Sequence, residues 1–240
     1  MNDKTSAWIR WPGYIAWFLF AVLAISVLVV RSGSWQQGLM LYALAGLLSL
    51  VLLVFMGIQS LIPRWGGERL NILKRALPAL PGAALLLMAM QARDVPAIHD
   101  ISTDLQDPPA FEKIVDLRGD SSNPLNLSDE VIEQQLAAYP DLKTLQSSRS
   151  YASSYNMALT TARDLGWEVV REDPNAGFIE AVDTTAIMNF KDDVVIRVRT
   201  NADGSLIDVR SVSRVGVSDL GANAKRIRRF MSAFKAAAEG

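Results

Sequence analysis

DVVIRVRTNADGSLIDVRSVSRV, residues 193–215, alternates side chains at the two-residue period of a β-strand and breaks once, at NADG. Val194, Ile196 and Val198 fall on one face of the first run, and Arg197 and Arg199 on the other. In the second run Ile207 and Val209 alternate with Asp208 and Arg210. Two strands, Asp193 to Thr200 and Leu206 to Val215, joined by the turn Asn201 to Gly204, make an antiparallel hairpin. Two more β runs precede it, Trp167 to Arg171 and Phe178 to Thr184, separated by the turn residues Asp-Pro-Asn-Ala-Gly. A helix is expected before them, Arg149 to Leu165, because Tyr151, Tyr155, Ala158, Ala162 and Leu165 recur at helical spacing and Gly166 can end it. Another closes the chain from about Ala224 to Ala238, with Ile227, Phe230, Met231, Phe234 and Ala238 in one apolar stripe.

The order helix, four strands, helix over 147–240 predicts an α+β domain: a four-stranded antiparallel sheet with helices packed on one face. The opposite face carries Arg197, Arg199, Asp208 and Arg210. It is expected to be solvated, with Glu180, Asp183, Asp192 and Asp193 as cross-strand partners worth about 0.2–1 kcal/mol per exposed pair. A polar ligand groove is the alternative.

Residues 93–146, between this domain and the amino-terminal region, hold Pro96, Pro108, Pro109, Pro124 and Pro140 among repeated Asp and Ser. They read as extended, turn-rich chain with one short helix, Asp129 to Ala138, capped by Ser128 and stopped by Pro140.

The first 92 residues are of another kind. Apolar stretches at 14–30, 38–62 and 76–92 contain no charged residue, and each approaches or exceeds the roughly 20 residues that about 30 Å of hydrocarbon requires. Pro78, Pro81 and Gly82 interrupt the start of the third. Lys4 and Arg10 precede the first span, Arg31 follows it, Arg64, Arg69, Lys74 and Arg75 occupy the second loop, and Arg93 follows the third. That bias places the amino terminus and the second loop in the cytoplasm. Three spans then put the carboxy-terminal domain on the periplasmic side of an inner membrane, whereas a third stretch that does not cross would leave it cytoplasmic. A cleaved signal peptide fits less well, because the first apolar body is long and ends in Val-Val-Arg. With no charge inside any span, anchoring is the expected role of this region.

The net charge of −1 conceals a division, +5 over residues 1–92 and −6 over 93–240. An acidic domain with mixed charges argues against nucleic acid as a partner. The chain has no cysteine, which excludes disulfides and thiolate chemistry. His99 is the only histidine, in Ile-His-Asp-Ile-Ser-Thr-Asp at 98–104. With Asp100 and Asp104 it offers imidazole and carboxylates to a metal, but without HxH or HExxH spacing; with Ser102 or Ser213 it could form a triad, but there is no GxSxG elbow. The simpler reading is a histidine that bonds backbone and locks the turn-rich segment onto the sheet. A second constellation, Arg210, Ser213, Arg214, Asp219, Asn223 and Arg226, runs from a strand through a Gly-containing loop into a helix and suits a carboxylate or phosphate. Asp219 opposes an anion, so a structural turn is the competing reading. No cofactor is expected.

These motifs together resemble the DUF1499 family, a domain of unknown function. The resemblance rests on His-Asp-Ile-Ser-Thr-Asp with Pro-Pro-x-Phe after it, Ala-Ala-Tyr-Pro-Asp-Leu at 137–142, Gly-Trp at 166–167, Ile-Glu-Ala at 179–181, Phe-Lys-Asp-Asp at 190–193, and Asp-Val-Arg-Ser-Val-Ser-Arg-Val-Gly at 208–216 with Asp219, Gly221, Asn223 and Arg226. It spans about residues 97–236 and implies an envelope-associated protein without an assigned activity. It also implies that His99, Asp100, Asp104, Arg210, Ser213, Arg214, Asp219, Asn223 and Arg226 matter. The functional expectation is a membrane-anchored extracytoplasmic module that binds an envelope protein, lipid or small anionic ligand. The alternative is a hydrolase or metal-dependent enzyme centred on His99.

Overall fold

A computed structural model describes residues 6–91 and 95–239, apart from the side chains of 89 and 91. The chain divides into two compact units, 1–93 with 187–189, and 94–186 with 190–240.

In the first unit, α1 (Ala7–Arg31) and α2 (Trp35–Leu61) have 25 and 27 residues, both longer than a bilayer core requires. The third predicted span is built differently from its expectation. Its helical path begins at Pro63, well before Ala76, with a 3₁₀ turn at Pro63–Glu68, then α3 (Arg69–Ala76), a second 3₁₀ turn at Leu77–Ala79 and α4 (Leu80–Gln91). Pro78 sits in the tight turn and Pro81 in the first turn of α4, both positions where a missing N–H costs little. The predicted end at Ala92 lies outside the described residues. Among the described residues three helices, the third running over Pro63–Met88, are long and apolar enough to cross a membrane.

Small residues bring these helices together. A Cβ on Gly82 would stand 2.7 Å from Ser49 Oγ, and one on Gly46 would stand 3.1 Å from the Gly82 carbonyl, so α2 and α4 approach backbone to backbone. Pro12, inside α1, cannot donate to the carbonyl of Trp8 one turn earlier. Gln59 Nε2 of α2 donates to that carbonyl instead, at 3.0 Å.

The second unit is a six-stranded antiparallel sheet, not a four-stranded one: β1 (Asp100–Ser102), β2 (Leu145–Ser147), β3 (Glu168–Asp173), β4 (Phe178–Thr184), β5 (Lys191–Asn201) and β6 (Gly204–Ser213). The order is β1-β6-β5-β4-β3, and β2 also pairs with β6. The two additional strands have three residues each and come from the Pro-rich segment, β1 against 210–212 and β2 against 205–207. Three residues cannot display an alternation, and the strands form because β6 presents an unpaired edge to them.

The hairpin is in the expected register, with Ile196 opposite Val209 and Asn201 opposite Gly204. Gly177 closes the preceding turn at φ +80, where a Cβ would come within 2.2 Å of the Val198 carbonyl. Helix α7 (Tyr151–Asp164), capped by Ser150, and α8 (Ala222–Glu239) pack on the apolar face. There Ile196, Val198, Ile207 and Val209 meet Tyr155, Trp167, Ile227, Phe230 and Phe234, and the Trp167 and Phe230 rings stack at 5.6 Å. Two shorter helices, α5 (Lys113–Leu117) and α6 (Asp129–Ala138), belong to the Pro-rich segment, and Ser128 caps α6 as expected.

The charged face departs from its expectation. Arg197, Asp208, Arg210, Asp193 and Glu180 are buried, not solvated. Chain between β1 and α6 lies over them, and Phe111 and Ile114 pack there against Val195 and Val212.

Candidate functional site

The covered face is organised around carboxylates that accept from the chain lying on them. Asp100, in β1, receives Arg210 Nε at 3.0 Å and Nη2 at 2.7 Å, a fork-on-fork pair between adjacent strands. The remaining donors of Arg210 go to the carbonyls of Pro109, at 3.2 Å, and Leu125, at 2.5 Å, while its guanidinium lies 5.4 Å from the Phe111 ring centre. One arginine thus ties both ends of the covering segment to the middle of the sheet.

Three further carboxylates repeat the device. Glu180 of β4 accepts the backbone N–H groups of Glu112, Lys113 and Ile114 at 2.8–3.1 Å, supplying the acceptors that the first turn of α5 lacks, and also takes Arg171 Nη1 at 3.0 Å. Asp193 of β5 is gripped by Arg214 Nε and Nη2 and by Arg118, and Arg214 Nη1 reaches the Leu117 carbonyl at 3.0 Å. Asp208 of β6 accepts from Thr144 at 2.6 Å, Arg199 at 2.7 Å, Arg197 at 3.2 Å and Thr103 at 3.3 Å.

Asp104 completes the last group, accepting from Arg197 at 3.0 Å, Arg199 at 3.1 Å and the N–H groups of Gln106 and Asp107. Partial burial works against its charge, but those two backbone donors and two guanidinium groups outweigh it and hold the carboxyl below the usual aspartate range. Gln135 of α6 bonds both backbone groups of Ser102, at 3.0 and 2.6 Å, standing in for another strand at the edge of β1.

A second network lies on the helix-bearing side, where α8 begins. Arg226 donates to Asp183 at 2.6 Å, Asp192 at 2.5 Å, Asn223 Oδ1 at 2.5 Å and Ser211 Oγ at 3.1 Å. Asn223 Nδ2 donates to the His99 carbonyl at 2.9 Å and to Ser213 Oγ at 3.0 Å, and its Oδ1 accepts from Ser211. Asp219 accepts the N–H groups of Gly221 and Asn223, both at 2.7 Å, capping the helix. Burial pushes its carboxyl above the usual aspartate range, against the opposing pull of those two N–H groups. The helix start that sequence reasoning offers to an anion therefore already holds a carboxylate of its own.

The nine predicted residues fall into separate places. Asp100, Asp104, Arg210 and Arg214 lie on the covered face; Ser213, Asp219, Asn223 and Arg226 lie at the start of α8. His99 stands between them in the chain. Its carbonyl accepts from the Ser213 N–H at 2.9 Å, and its Nδ1 is 3.4 Å from the Val217 carbonyl. Asp100 beside it points into the pair with Arg210. Among the described residues no group of three His, Cys, Asp or Glu is placed to hold a metal ion.

Glu180, Asp193, Arg118, Asn123 and Gln135 were not singled out as site residues by sequence reasoning. For Glu180 a signal existed: a carboxylate within a strand whose neighbours Ile179 and Ala181 point to the apolar core. Asn123, which donates to the carbonyls of Ser213 and Gly216, and Gln135 carried none. Two open grooves on this unit lie elsewhere: one of about 380 Å³ between α7 and α8, lined by Ser153, Asn156, Met157, Thr160, Leu165 and Ala233 among others, and one of about 330 Å³ beside Arg149 and Lys235.

Residues 100–234 match the family model described as protein of unknown function, DUF1499, and the chain belongs to that family. Curated proteins give no significant match to it.

Proposed function

We propose that this DUF1499 member is a membrane-anchored, extracytoplasmic binding module for an envelope partner, and that its buried polar residues are a fastening rather than a catalytic centre. The observation that carries this reading is the engagement of Asp100, Asp193, Asp208, Asp219 and Glu180 by guanidinium groups, hydroxyls and backbone N–H groups of the same domain. A general base or nucleophile needs a reacting atom within hydrogen-bond reach and an orienting neighbour. His99 Nδ1 has a backbone carbonyl beside it, and Ser213 Oγ is taken by Asn223. Three apolar helices and the basic second loop support an outward-facing domain. The open, largely apolar groove between α7 and α8, lined by Met157, Leu165 and Ala233 beside Ser153 and Asn156, supplies a surface for a partner that the fastening does not occupy.

The test uses the full chain in cells. A photo-crosslinking residue at Asn156, in the groove, is expected to give one discrete adduct that the same residue at Glu133 does not. Reporter fusions at Gly67 and Gly240 are expected to read inside and outside respectively. Stoichiometric metal in the purified chain, lost in His99→Ala, would replace this reading with the metal-enzyme one.

A further inference from the structure

The membrane-spanning unit carries a groove with two chemically different ends. Its polar end, about 340 Å³, is lined by Trp8, Phe55, Ile58, Gln59, Arg64 and Trp65. A second groove of about 350 Å³ shares Trp8 and Phe55 with it and continues over Trp11 and Ile15, so the two form one trough along the outside of α1 and α2. From Trp8 to Ile15 the trough follows two turns of helix, about 10 Å at 1.5 Å per residue. Its walls face outward: Trp8 is 70% exposed, Trp11 65% and Ile58 59%. On a membrane-spanning helix such a surface is covered by acyl chain.

The trough is held in place by the proline in α1. Because Pro12 leaves the Trp8 carbonyl without its helical donor, Gln59 reaches across and takes it, drawing the start of α1 against the end of α2. That bond seats Trp8 as the wall shared by both grooves.

Arg64 sets the chemistry of the polar end. Its guanidinium lies over the Trp65 ring at 5.1 Å, and among the described residues no carboxylate lies within ion-pair distance of it. A cation at one end of an aromatic-walled apolar trough, at the depth where a span ends, complements a phosphate with an attached acyl chain.

From these observations we infer that the trough binds one anionic phospholipid, its phosphate at Arg64 and an acyl chain along Trp8, Phe55, Trp11 and Ile15. The inference concerns the membrane unit and stands apart from what the sheet domain recruits. The test places the full chain in phosphatidylcholine nanodiscs, titrates in phosphatidylglycerol, and counts retained lipids by native mass spectrometry after ejection from the disc. One phosphatidylglycerol is expected to be retained in preference to phosphatidylcholine. Arg64→Gln is expected to weaken retention about fivefold, the effect of one basic residue at a membrane surface. Arg69→Gln, at the start of α3 and outside the groove, is expected to leave retention unchanged, and Trp8→Ala to lower it for either headgroup. Equal retention of the two lipids, an unchanged Arg64→Gln variant, or an equal loss in Arg69→Gln would overturn the inference in favour of a nonspecific lipid shell or a diffuse basic charge. Displacement of the retained lipid by millimolar glycerol 3-phosphate would also overturn it, because a free phosphate would then suffice.

Discussion

The two faces of the sheet are both buried, and by opposite means. On one, α7 and α8 lay apolar stripes against Ile196, Val198, Ile207 and Val209. Attachment there scales with apolar area and needs no particular partner for any one side chain. On the other, the irregular chain between β1 and α6, with the five-residue helix α5 in its middle, has little apolar surface to offer beyond Phe111, Ile114 and Leu125. Its backbone groups need partners, and the sheet provides them as carboxylates and guanidinium groups at named positions. The helical cover is tolerant of detail, whereas the irregular cover is specified pair by pair. A mutation on the second face is therefore expected to free the cover selectively, and one on the first to weaken the whole domain.

The chain has no cysteine, so a single introduced one can carry a fluorophore at Asp120→Cys on the irregular cover or at Ala152→Cys on α7, both exposed. The largest expected effect is that of Arg210→Met, which leaves Asp100 buried and unpaired and removes the bonds to Pro109 and Leu125. A loss of about 3–5 kcal/mol is expected, read as a fall in the urea midpoint, with the label at 120 released before the label at 152. Replacing both partners, Asp100→Leu with Arg210→Met, should restore most of it, since two apolar groups need no ionic partner. A loss below 1 kcal/mol in the single variant would show that desolvated pairs do not hold this face.

Next in size is Ile227→Ala, at the centre of the helix-side core, expected to cost about 2–5 kcal/mol. Here both labels should report one transition, because the cavity weakens the sheet on which both covers rest. Third is Glu180→Gln, which keeps the shape but removes the charge that three N–H groups and Arg171 share. A cost of about 1–3 kcal/mol is expected, confined to the label at 120. Amide exchange of residues 112–114 should quicken in the same variant.

This contrast also explains which parts of the fold were legible. The second predicted strand, Phe178–Thr184, and the hairpin of the third and fourth, 193–215, announce themselves because one face must be apolar, and Gly166, at φ +82, marks the end of α7. Each of these signals is local. The strands at 100–102 and 145–147 are invisible in isolation, since what makes them strands is the edge of β6, more than 50 residues away. The burial of the charged face is hidden for a related reason: Arg197 and Asp208 look the same in sequence whether water or another chain segment pairs with them. The separation of eight of the nine predicted residues into two networks is likewise hidden, because neighbours in sequence such as Ser213 and Arg214 point to opposite sides of the sheet.

The smallest expected effect is also the one that sets the two faces against each other most directly. Asp104, under the irregular cover, has its carboxyl held below the ordinary aspartate value of about 4, so the unfolded chain takes up its proton first as the pH falls. Its contribution is present above about pH 4 and is lost as the pH drops through the lower folded value. Asp219, at the start of α8, is pushed the other way by burial. Its folded form keeps the proton longer, so stability declines as the pH rises from about 4 through the raised folded value. The urea midpoint should therefore lose part of its acid-side slope in Asp104→Asn, below about pH 4, and part of an opposing slope above that pH in Asp219→Asn. If the two variants flattened the profile on the same side, one of these carboxyls would have to be held by something other than the partners seen here, and the division between a cover fastened by charge and a helix seated by burial would fail at that residue.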